Sequence, residues 1–522
     1  MTLISRVLGL VRDVVIANVM GAGVMADVFL FANKIPNFFR RLFAEGAFAQ
    51  AFVPVLSEYH TKDEANAQSN NNTSLDAPLD ETRLLIAQVS GTLGVIITLV
   101  TLFGMLASPL FVILFGGGWF VDWLNQGGDS AGGEKFELAA NLLKITFPYL
   151  WFISFTALAG AVLNTMGRFA VAAFTPVLLN VAIIIMAIYG ADYTQSPAHS
   201  LAWGVFLGGF IQFVFQIPFL YRARVLVKPK WAWHSNGVTK IRKLIVPALF
   251  GVSVTQINLL LDTLIASFLI TGSISWLYYA DRLLEFPLGL FGIGIATVVL
   301  PSLSKLHSKN NKAEFTATLD WGIKVISLFG WPALAGLMVL AQPIIMVLFM
   351  RGEFTQNDVM QVSMALFAYL SGLLSFMIIK ILAPGYYARQ DTKTPVKIGI
   401  KAMVANMVFN LMLAPFFGYV GLAIATTMSA TLNAWLLYRG LKAAHIYQLS
   451  KSTKIFISKL IVSAMVMAAV VFKLSADFNS WLGMSFIEQV SQLVFCISFG
   501  VLSYFAMILL LGIRLNDFKV KS

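Results

Sequence analysis

The sequence is short of cysteine, histidine and charge, and each shortage excludes something. One cysteine, Cys496, stands in 522 residues, so no intrachain disulfide can form. It lies in an apolar run and reads as lipid-facing or core rather than reactive. The five histidines, His60, His199, His234, His307 and His445, fall at loops or span ends without ligand spacing. A Walker A stretch, H-E-x-x-H and G-x-S-x-G are all absent, so no enzyme signature is present. Gly116-Gly117-Gly118 and Gly132-Gly133 read as loop glycines, not as a phosphate cradle. Only 12% of residues are charged, against 58% hydrophobic, and mean hydropathy is +0.79. That excludes a soluble domain and fits an all-α polytopic membrane protein. No small-residue cleavage site follows a plain apolar core, so no cleavable signal peptide is expected. The net charge of +12 would suggest nucleic acid in a soluble protein. In this composition it reads as basic loops facing the cytoplasm, with no nucleic-acid partner.

What the chain does have is long apolar runs. A span needs about 20 largely apolar residues. Runs of that kind fall near 2–20, 24–56, 84–107, 137–163, 171–190, 199–221, 244–270, 275–303, 318–341, 362–384, 396–417, 419–440, 455–474 and 488–513, fourteen in all. An even count puts both termini on one side. Arg222, Arg224, Lys228, Lys230, Lys240, Arg242, Lys243, Lys305, Lys309, Lys312, Arg389, Lys393, Arg439, Lys442, Lys451 and Lys454 occupy one set of loops. Asp122, Asp129, Glu134, Asp192 and Asp477 occupy the other, offset by little beyond Lys135 and Arg351. By the positive-inside rule the first set, and with it both termini, is cytoplasmic. The polar stretch 61–82 reads as a flexible cytoplasmic loop. Trp119, Trp123, Trp231 and Trp233 fit interface belts.

The chain also repeats. Residues 29–60 align without gaps on 276–307, matching Leu30 to Leu277, Ala49 to Ala296, Pro54 to Pro301, Leu56 to Leu303, Ser57 to Ser304 and His60 to His307. A second echo pairs Tyr149-Leu150, Arg168 and Thr175-Pro176 with Tyr369-Leu370, Arg389 and Thr394-Pro395. The expected organisation is a six-helix lobe over 1–222, a basic cytoplasmic linker over 223–243, a second six-helix lobe over 244–441, and two further helices within 442–522. Six is even, so the copies run parallel, as in transporters that rock about a midplane site.

The charged stretches carry the functional argument. Residues 24–60 are apolar enough to enter a membrane yet include Asp27, Lys34, Arg40, Arg41 and Glu45. A charge near the bilayer centre costs roughly 2.5–3.5 kcal/mol on insertion scales. Pro36 removes a backbone donor among them and should bend or break the helix. A broken, charged helix is tolerated at membrane depth only where it faces protein or a water-filled cavity. The second copy has Asp281, Arg282 and Glu285, followed by Pro287 and Gly289. With Arg6 and Arg12, these place five arginines at or near membrane depth, and arginine suits bidentate phosphate contacts. The two readings are an anion pocket for a phosphate or diphosphate and internal salt bridges, for example Asp27 with an arginine. A quieter set comprises Asn258 and Asp262 on span 7, Asn406 and Asn410 on span 11, and Thr426 on span 12. Its oxygens suit a hard cation such as Na⁺; Asp262 could instead carry a proton, and interhelical hydrogen bonding is the plainer alternative.

Five motifs resemble one family closely: SRVLGLVRD at 5–13, GAGVMADVF at 21–29, IPNFFRRLFAEGAFAQAFVPV at 35–55, SWLYYADRLLEFPLGLFG at 275–292 and APGYYARQDTKTPVKI at 383–398. They resemble the MurJ (MviN) family of lipid II flippases, within the MOP exporter superfamily, and the resemblance covers essentially the whole chain. It implies two six-helix lobes around a cationic cavity that opens alternately to cytoplasm and periplasm, and a C-terminal helix pair that forms a groove for the lipid tail. The cargo it implies is undecaprenyl-diphosphate bearing the peptidoglycan disaccharide-pentapeptide, handled in the bacterial inner membrane without a catalytic cofactor. By motif match, the family's cavity residues fall on Arg6, Arg12, Asp27, Arg40, Arg41, Ser275, Arg282 and Glu285. The Na⁺ site of some members falls on Asp262, Asn406, Asn410 and Thr426, with Asn410 standing where the family has an acid. Members also carry further residues before S-R-V-L-G, which leaves either a short first span here or a misassigned start. Rival readings are a cation-coupled MATE-like multidrug exporter, another lipid-linked oligosaccharide exporter, a membrane-embedded transferase and a non-transporting scaffold. The arginine surplus argues against cationic drugs, and the transferase lacks an acid/base pair or metal-binding Asp cluster.

Overall fold

The computed structural model describes residues 2–42, 47–69, 80–128 and 130–514. All regular secondary structure among them is helical. The chain divides into two compact units, Met1–Ile274 and Ser275–Ser522.

The first unit holds α1 (Thr2–Met20), α2 (Val24–Phe39), α3 (Ala47–Ser69), α4 (Asp80–Leu106), α5 (Ser108–Phe115), α6 (Gly117–Gln126), α7 (Ala131–Thr146), α8 (Pro148–Thr165), α9 (Phe169–Tyr189), α10 (Pro197–Arg222) and α11 (Asn236–Ala266). Pro148 cannot donate a helical hydrogen bond, and α7 passes into α8 there. The Phe147 ring lies so close to Gly104 of α4 that a Cβ at that glycine would be 2.0 Å from it. Stretch 61–82, expected as a loop, is helical at both ends. Asp63 is buried because it caps α4, accepting the Thr82 N–H at 2.8 Å and the Glu81 N–H at 3.3 Å. Residues 70–79 of that stretch lie outside the described residues, as do Glu45 and Asp129. The basic segment after α10 lies along α4, with the Lys230 N–H donating to the Ala87 carbonyl at 2.7 Å. α11 packs on α3 and α4 and on the α2, α5 and α6 side of this unit. Division by repeat, at 223–243, and division by packing thus differ by one span.

The second unit holds α12 (Ser273–Pro287), most of which follows the boundary, a π-helical turn (Leu288–Gly292), α13 (Ile293–Ser308), α14 (Lys312–Phe349), α15 (Gln356–Leu370), α16 (Leu373–Tyr387), α17 (Lys393–Ala443), α18 (Lys451–Leu474), α19 (Phe478–Gly483) and α20 (Phe486–Leu510). The run 362–384, expected as one span, is a pair of helices bent by 40°. α17 is two spans in one: Gly418 takes φ 57° and ψ −138°, a left-handed conformation open to glycine, between the expected runs 396–417 and 419–440. The C-terminal pair α18 and α20 packs on α14 around Leu460, Met467, Cys496 and Tyr504, so Cys496 is core.

Nine helices among the described residues are long and apolar enough to cross a membrane, or ten with the bent pair. Dividing α17 and adding the more polar α1, α2–α3 and α11 accounts for the fourteen expected spans. Leu99, Leu106, Leu411 and Phe416 are exposed, as lipid-facing side chains should be and as a water-exposed surface rarely tolerates in such number. Trp119, expected in an interface belt, is instead buried against Phe31, ring centroids 4.9 Å apart.

Candidate substrate site

On α1, Arg12 is held on three sides. Its Nε and Nη2 donate to Asp13 Oδ1 at 3.0 and 2.7 Å, and its Nη1 to Asn180 Oδ1 of α9 at 3.1 Å. Asn180 in turn donates to the Ser5 carbonyl at 3.2 Å. One turn and a half earlier, Arg6 is exposed. α2 contains Pro36, and the regular ladder fails just beyond it: Arg40, Arg41 and Leu42 form a π-helical turn. Arg40 Nε donates to Asn37 Oδ1 at 3.0 Å, while Asn37 bonds back to Asn33. Arg40 and Arg41 thus stand in a π-helical turn, and such turns recur at functional sites.

Asp27, at the other end of α2, is buried. Its Oδ2 accepts the Gly272 N–H at 2.7 Å, on the loop leaving α11. Three further bonds tie the end of α11 and its loop to this unit. Lys34 Nζ donates to Thr263 Oγ1 at 3.1 Å, Lys135 Nζ to Thr271 Oγ1 at 2.7 Å, and the Gly118 N–H to Ser267 Oγ at 3.0 Å. Gly117-Gly118 opens α6 and Gly132-Gly133 the first turn of α7. They were expected as loop glycines and lie instead in helices, while Gly116 does stand between α5 and α6. They serve close approach: a Cβ at Gly118 would lie 2.3 Å from the Ser267 carbonyl oxygen. A cavity of about 530 Å³ adjoins, lined by Trp119, Asp122, Lys135, Phe268 and Thr271 among others.

In the second unit, Arg282 Nη1 pairs with Glu285 Oε2 at 2.7 Å one turn on, and its guanidinium lies 4.7 Å from the Tyr278 ring centre. Ser275 is buried. The helix start is pinned by Trp276, whose Nε1 donates to Asp358 Oδ1 at 2.9 Å. α12 then gives way to the π turn at Leu288–Gly292. Both copies of the repeat therefore break into a π turn at matching places, within the charged cluster in the first copy and just beyond it in the second.

The candidate cation ligands divide between the units. In the first, Asn258 Nδ2 lies 3.5 Å from Asp262 Oδ2. In the second, Asn410 Nδ2 donates to Asn406 Oδ1 at 3.1 Å, and Asn406 Nδ2 lies 3.5 Å from Thr426 Oγ1, with both asparagines buried. Carboxylate, amide and hydroxyl oxygens are the donor set a hard monovalent cation takes. No cluster of three or more His, Cys, Asp or Glu side chains able to hold a metal occurs among the described residues. A separate apolar groove of about 330 Å³ runs along α14, α18 and α20, lined by Phe291, Phe329, Leu337, Met467, Val501 and Phe505 among others.

Two site-forming residues escaped the sequence reading. Asp13 was legible in SRVLGLVRD as a polar residue, but i, i+1 neighbours on a helix do not normally face each other. Lys135 was counted as loop charge, and only the fold shows it buried beside Asp27.

The fold and these charged, broken helices define a polytopic helical transporter. An inward-facing MATE family transporter of the MOP superfamily shares the fold, with a TM-score of 0.67 over 85% of this chain and 96% of that one, at 15% identity. A solved structure of lipid II flippase MurJ, inward closed conformation, superposes with a TM-score of 0.77 at 28% identity, covering 97% of this chain and 96% of that one. The family model for lipid II flippase MurJ matches residues 16–491. A probable lipid II flippase MurJ of Vibrio cholerae is 60% identical over 99% of this chain and 96% of its own length, and one of Haemophilus influenzae 57% identical over the whole of both. A lipid II flippase MurJ of Burkholderia cenocepacia is 38% identical over 99% of this chain. The chain belongs to the lipid II flippase MurJ family.

Proposed function

We propose that this protein moves lipid II across the bacterial inner membrane, from cytoplasmic to periplasmic leaflet, to supply cell-wall synthesis. It is a transporter and not an enzyme. The observation that carries the reading is the full-length kinship with lipid II flippases at 57–60% identity, on a chain that keeps arginines on broken membrane helices. Arg6, Arg12, Arg40 and Arg41 from the first unit and Arg282 from the second are the proposed ligands of the diphosphate, a dianion that guanidinium groups bind through paired hydrogen bonds. Asp27, Ser275 and Glu285 complete the proposed substrate site, as the motif match implies. The apolar groove on α14, α18 and α20 supports a role in holding the polyprenyl tail while the headgroup crosses. Both termini and the basic loops are assigned to the cytoplasm by charge.

Turnover requires both open states to lie close in energy, and a coupled ion can bias them. Asp262, Asn406, Asn410 and Thr426 are the residues that would hold Na⁺; it would supply charge compensation for Asp262. A cation-coupled drug exporter needs an acidic or aromatic pocket, and the arginine surplus opposes it.

The test is depletion of the protein with lipid II sidedness as readout. Accumulation on the cytoplasmic leaflet supports flipping; unchanged sidedness overturns it.

A further inference from the structure

Two adjacent residues in the loop between α11 and α12 are gripped by opposite charges from different helices. Lys135, in the first turns of α7, holds the Thr271 hydroxyl, and Asp27 of α2 holds the Gly272 N–H. Both charged side chains are nearly inaccessible, at 4% and 2% exposure. Asp27 and Asp122 lie near enough to act on the lysine charge, but neither forms a direct ion pair with it among the described residues. Burying an ammonium is unfavourable unless its donors are satisfied. An ammonium has three donors, and Thr271 takes one. The lysine also lines the cavity of about 530 Å³, and its ammonium lies 5.8 Å from the Trp119 ring centre. A polar cavity of that size readily admits water. Breaking the bond to Thr271 therefore leaves the charge hydrated rather than stranded. That is the energetic condition for a contact that opens and closes repeatedly. The loop it grips leads straight into α12 (Ser273–Pro287), the helix that bears Ser275 and Arg282.

We propose that Lys135 is a positioning residue for transport. With Asp27 it forms a releasable two-charge latch that fixes the α11–α12 loop on α2 and α7 and lifts during each cycle. The inference rests on the reading of the chain as a flippase.

The test uses the purified full-length protein carrying Cys496→Ser and Ala266→Cys. Ala266 is buried at the C-terminal end of α11, directly before the gripped loop, and its cysteine should react with a polar thiol reagent when the loop lifts. Lys135→Met should raise the labelling rate roughly tenfold, the shift expected from losing a charge-assisted hydrogen bond. Lys135→Arg, which keeps a cationic donor, should restore a rate near the parent's. Thr271→Val removes the acceptor alone and should match Lys135→Met, which keeps the test open if the methionine variant accumulates poorly. In a depleted strain, Lys135→Met should fail to complement at normal membrane levels and Lys135→Arg should complement. Parent-like labelling in both Lys135→Met and Thr271→Val, or full complementation by Lys135→Met, overturns the latch. Raised labelling in a protein whose depletion leaves lipid II sidedness unchanged would uphold the latch and defeat the cargo assignment instead.

Discussion

Asp13 Oδ1 accepts two N–H groups from Arg12, its neighbour in sequence, at 3.0 and 2.7 Å. The carboxylate is buried, so the pair is screened little by solvent. The guanidinium is thus fixed before any anion arrives, and a pre-oriented donor loses less freedom on binding. Asp13→Ala removes two of the hydrogen bonds that orient Arg12 and should lower both complementation and membrane abundance, because removing one partner of a buried charge pair is strongly destabilising. Asp13→Asn keeps one acceptor and should hold abundance closer to the parent's while complementation still falls. Immunoblots of membranes beside growth curves check both outcomes.

Within the second unit, a partly buried carboxylate on α14 ties down the segment that enters α18. Asp320 of α14 accepts from Tyr447 Oη at 2.9 Å and from Ser450 Oγ at 3.4 Å, bonds to Thr453 Oγ1 and lies 3.7 Å from Lys324 Nζ. Tyr447 is fully buried. Asp320→Ala leaves that hydroxyl without its acceptor and should lower stability by about 1–3 kcal/mol, read as a fall in the melting temperature of detergent-solubilised protein. Adding Tyr447→Phe should recover part of the loss, since the two residues share one network. Additive effects would refute the coupling.

How far the sequence carried these sites follows from what each feature depends on. The breaks after α2 and α12 were legible because Pro36 and Pro287 announce them locally, and Gly418 fell in the gap between two expected runs. The arginines stood out because charge in an apolar run has few explanations. Lys135 was not legible: its burial comes from α6, α2 and the α11–α12 loop, which close over it from distant parts of the chain. The same holds for Trp119, whose place under Phe31 no local pattern marks. The bend between α15 and α16 was hidden inside a run whose hydropathy is continuous across it. α5 and α6 are too short to register as spans, and their glycines read as loop because close packing against Ser267 is invisible in one dimension.

Loop charge makes a topological prediction. A thiol label on a cysteine placed within 222–243 should be shielded from an impermeant reagent in intact cells, and one at Asn125, in the last turn of α6, should react. The reverse pattern would overturn the assigned direction of transport along with the topology.

If Na⁺ is held by Asp262, Asn406, Asn410 and Thr426, the purified protein should melt at a higher temperature in Na⁺ than in a large organic cation at equal ionic strength. Binding to the folded state alone stabilises by mass action. Asp262→Ala should abolish the difference. A parent protein whose melting temperature ignores Na⁺ would remove the cation site from consideration.

Arg282 decides whether the second unit grips the anion. In the repeat alignment the first unit offers Ile35 at the equivalent place, so Arg282 is not a structural relic of the duplication. Its ion pair with Glu285 joins side chains that are 35% and 50% exposed, and pairs of that exposure contribute roughly 0.2–1 kcal/mol at most. Its stacking on Tyr278 adds about 0.5–1 kcal/mol at such a site. Both contacts are weak, and Arg282→Ala should keep a membrane level near the parent's. Function should nevertheless be lost, because the variant removes both the charge and the planar fork that meets a phosphate with two hydrogen bonds. Arg282→Lys keeps the charge without the fork and should complement only partly. Glu285→Gln, which frees the guanidinium while preserving side-chain length, separates the two roles: an arginine kept for the anion tolerates it, whereas an arginine kept for its salt bridge behaves as if Arg282 itself had been removed. Complementation of a depleted strain, with membrane levels measured in parallel, reads all three. Full activity of Arg282→Ala, or equal losses in Arg282→Ala and Glu285→Gln, would take Arg282 out of the diphosphate site.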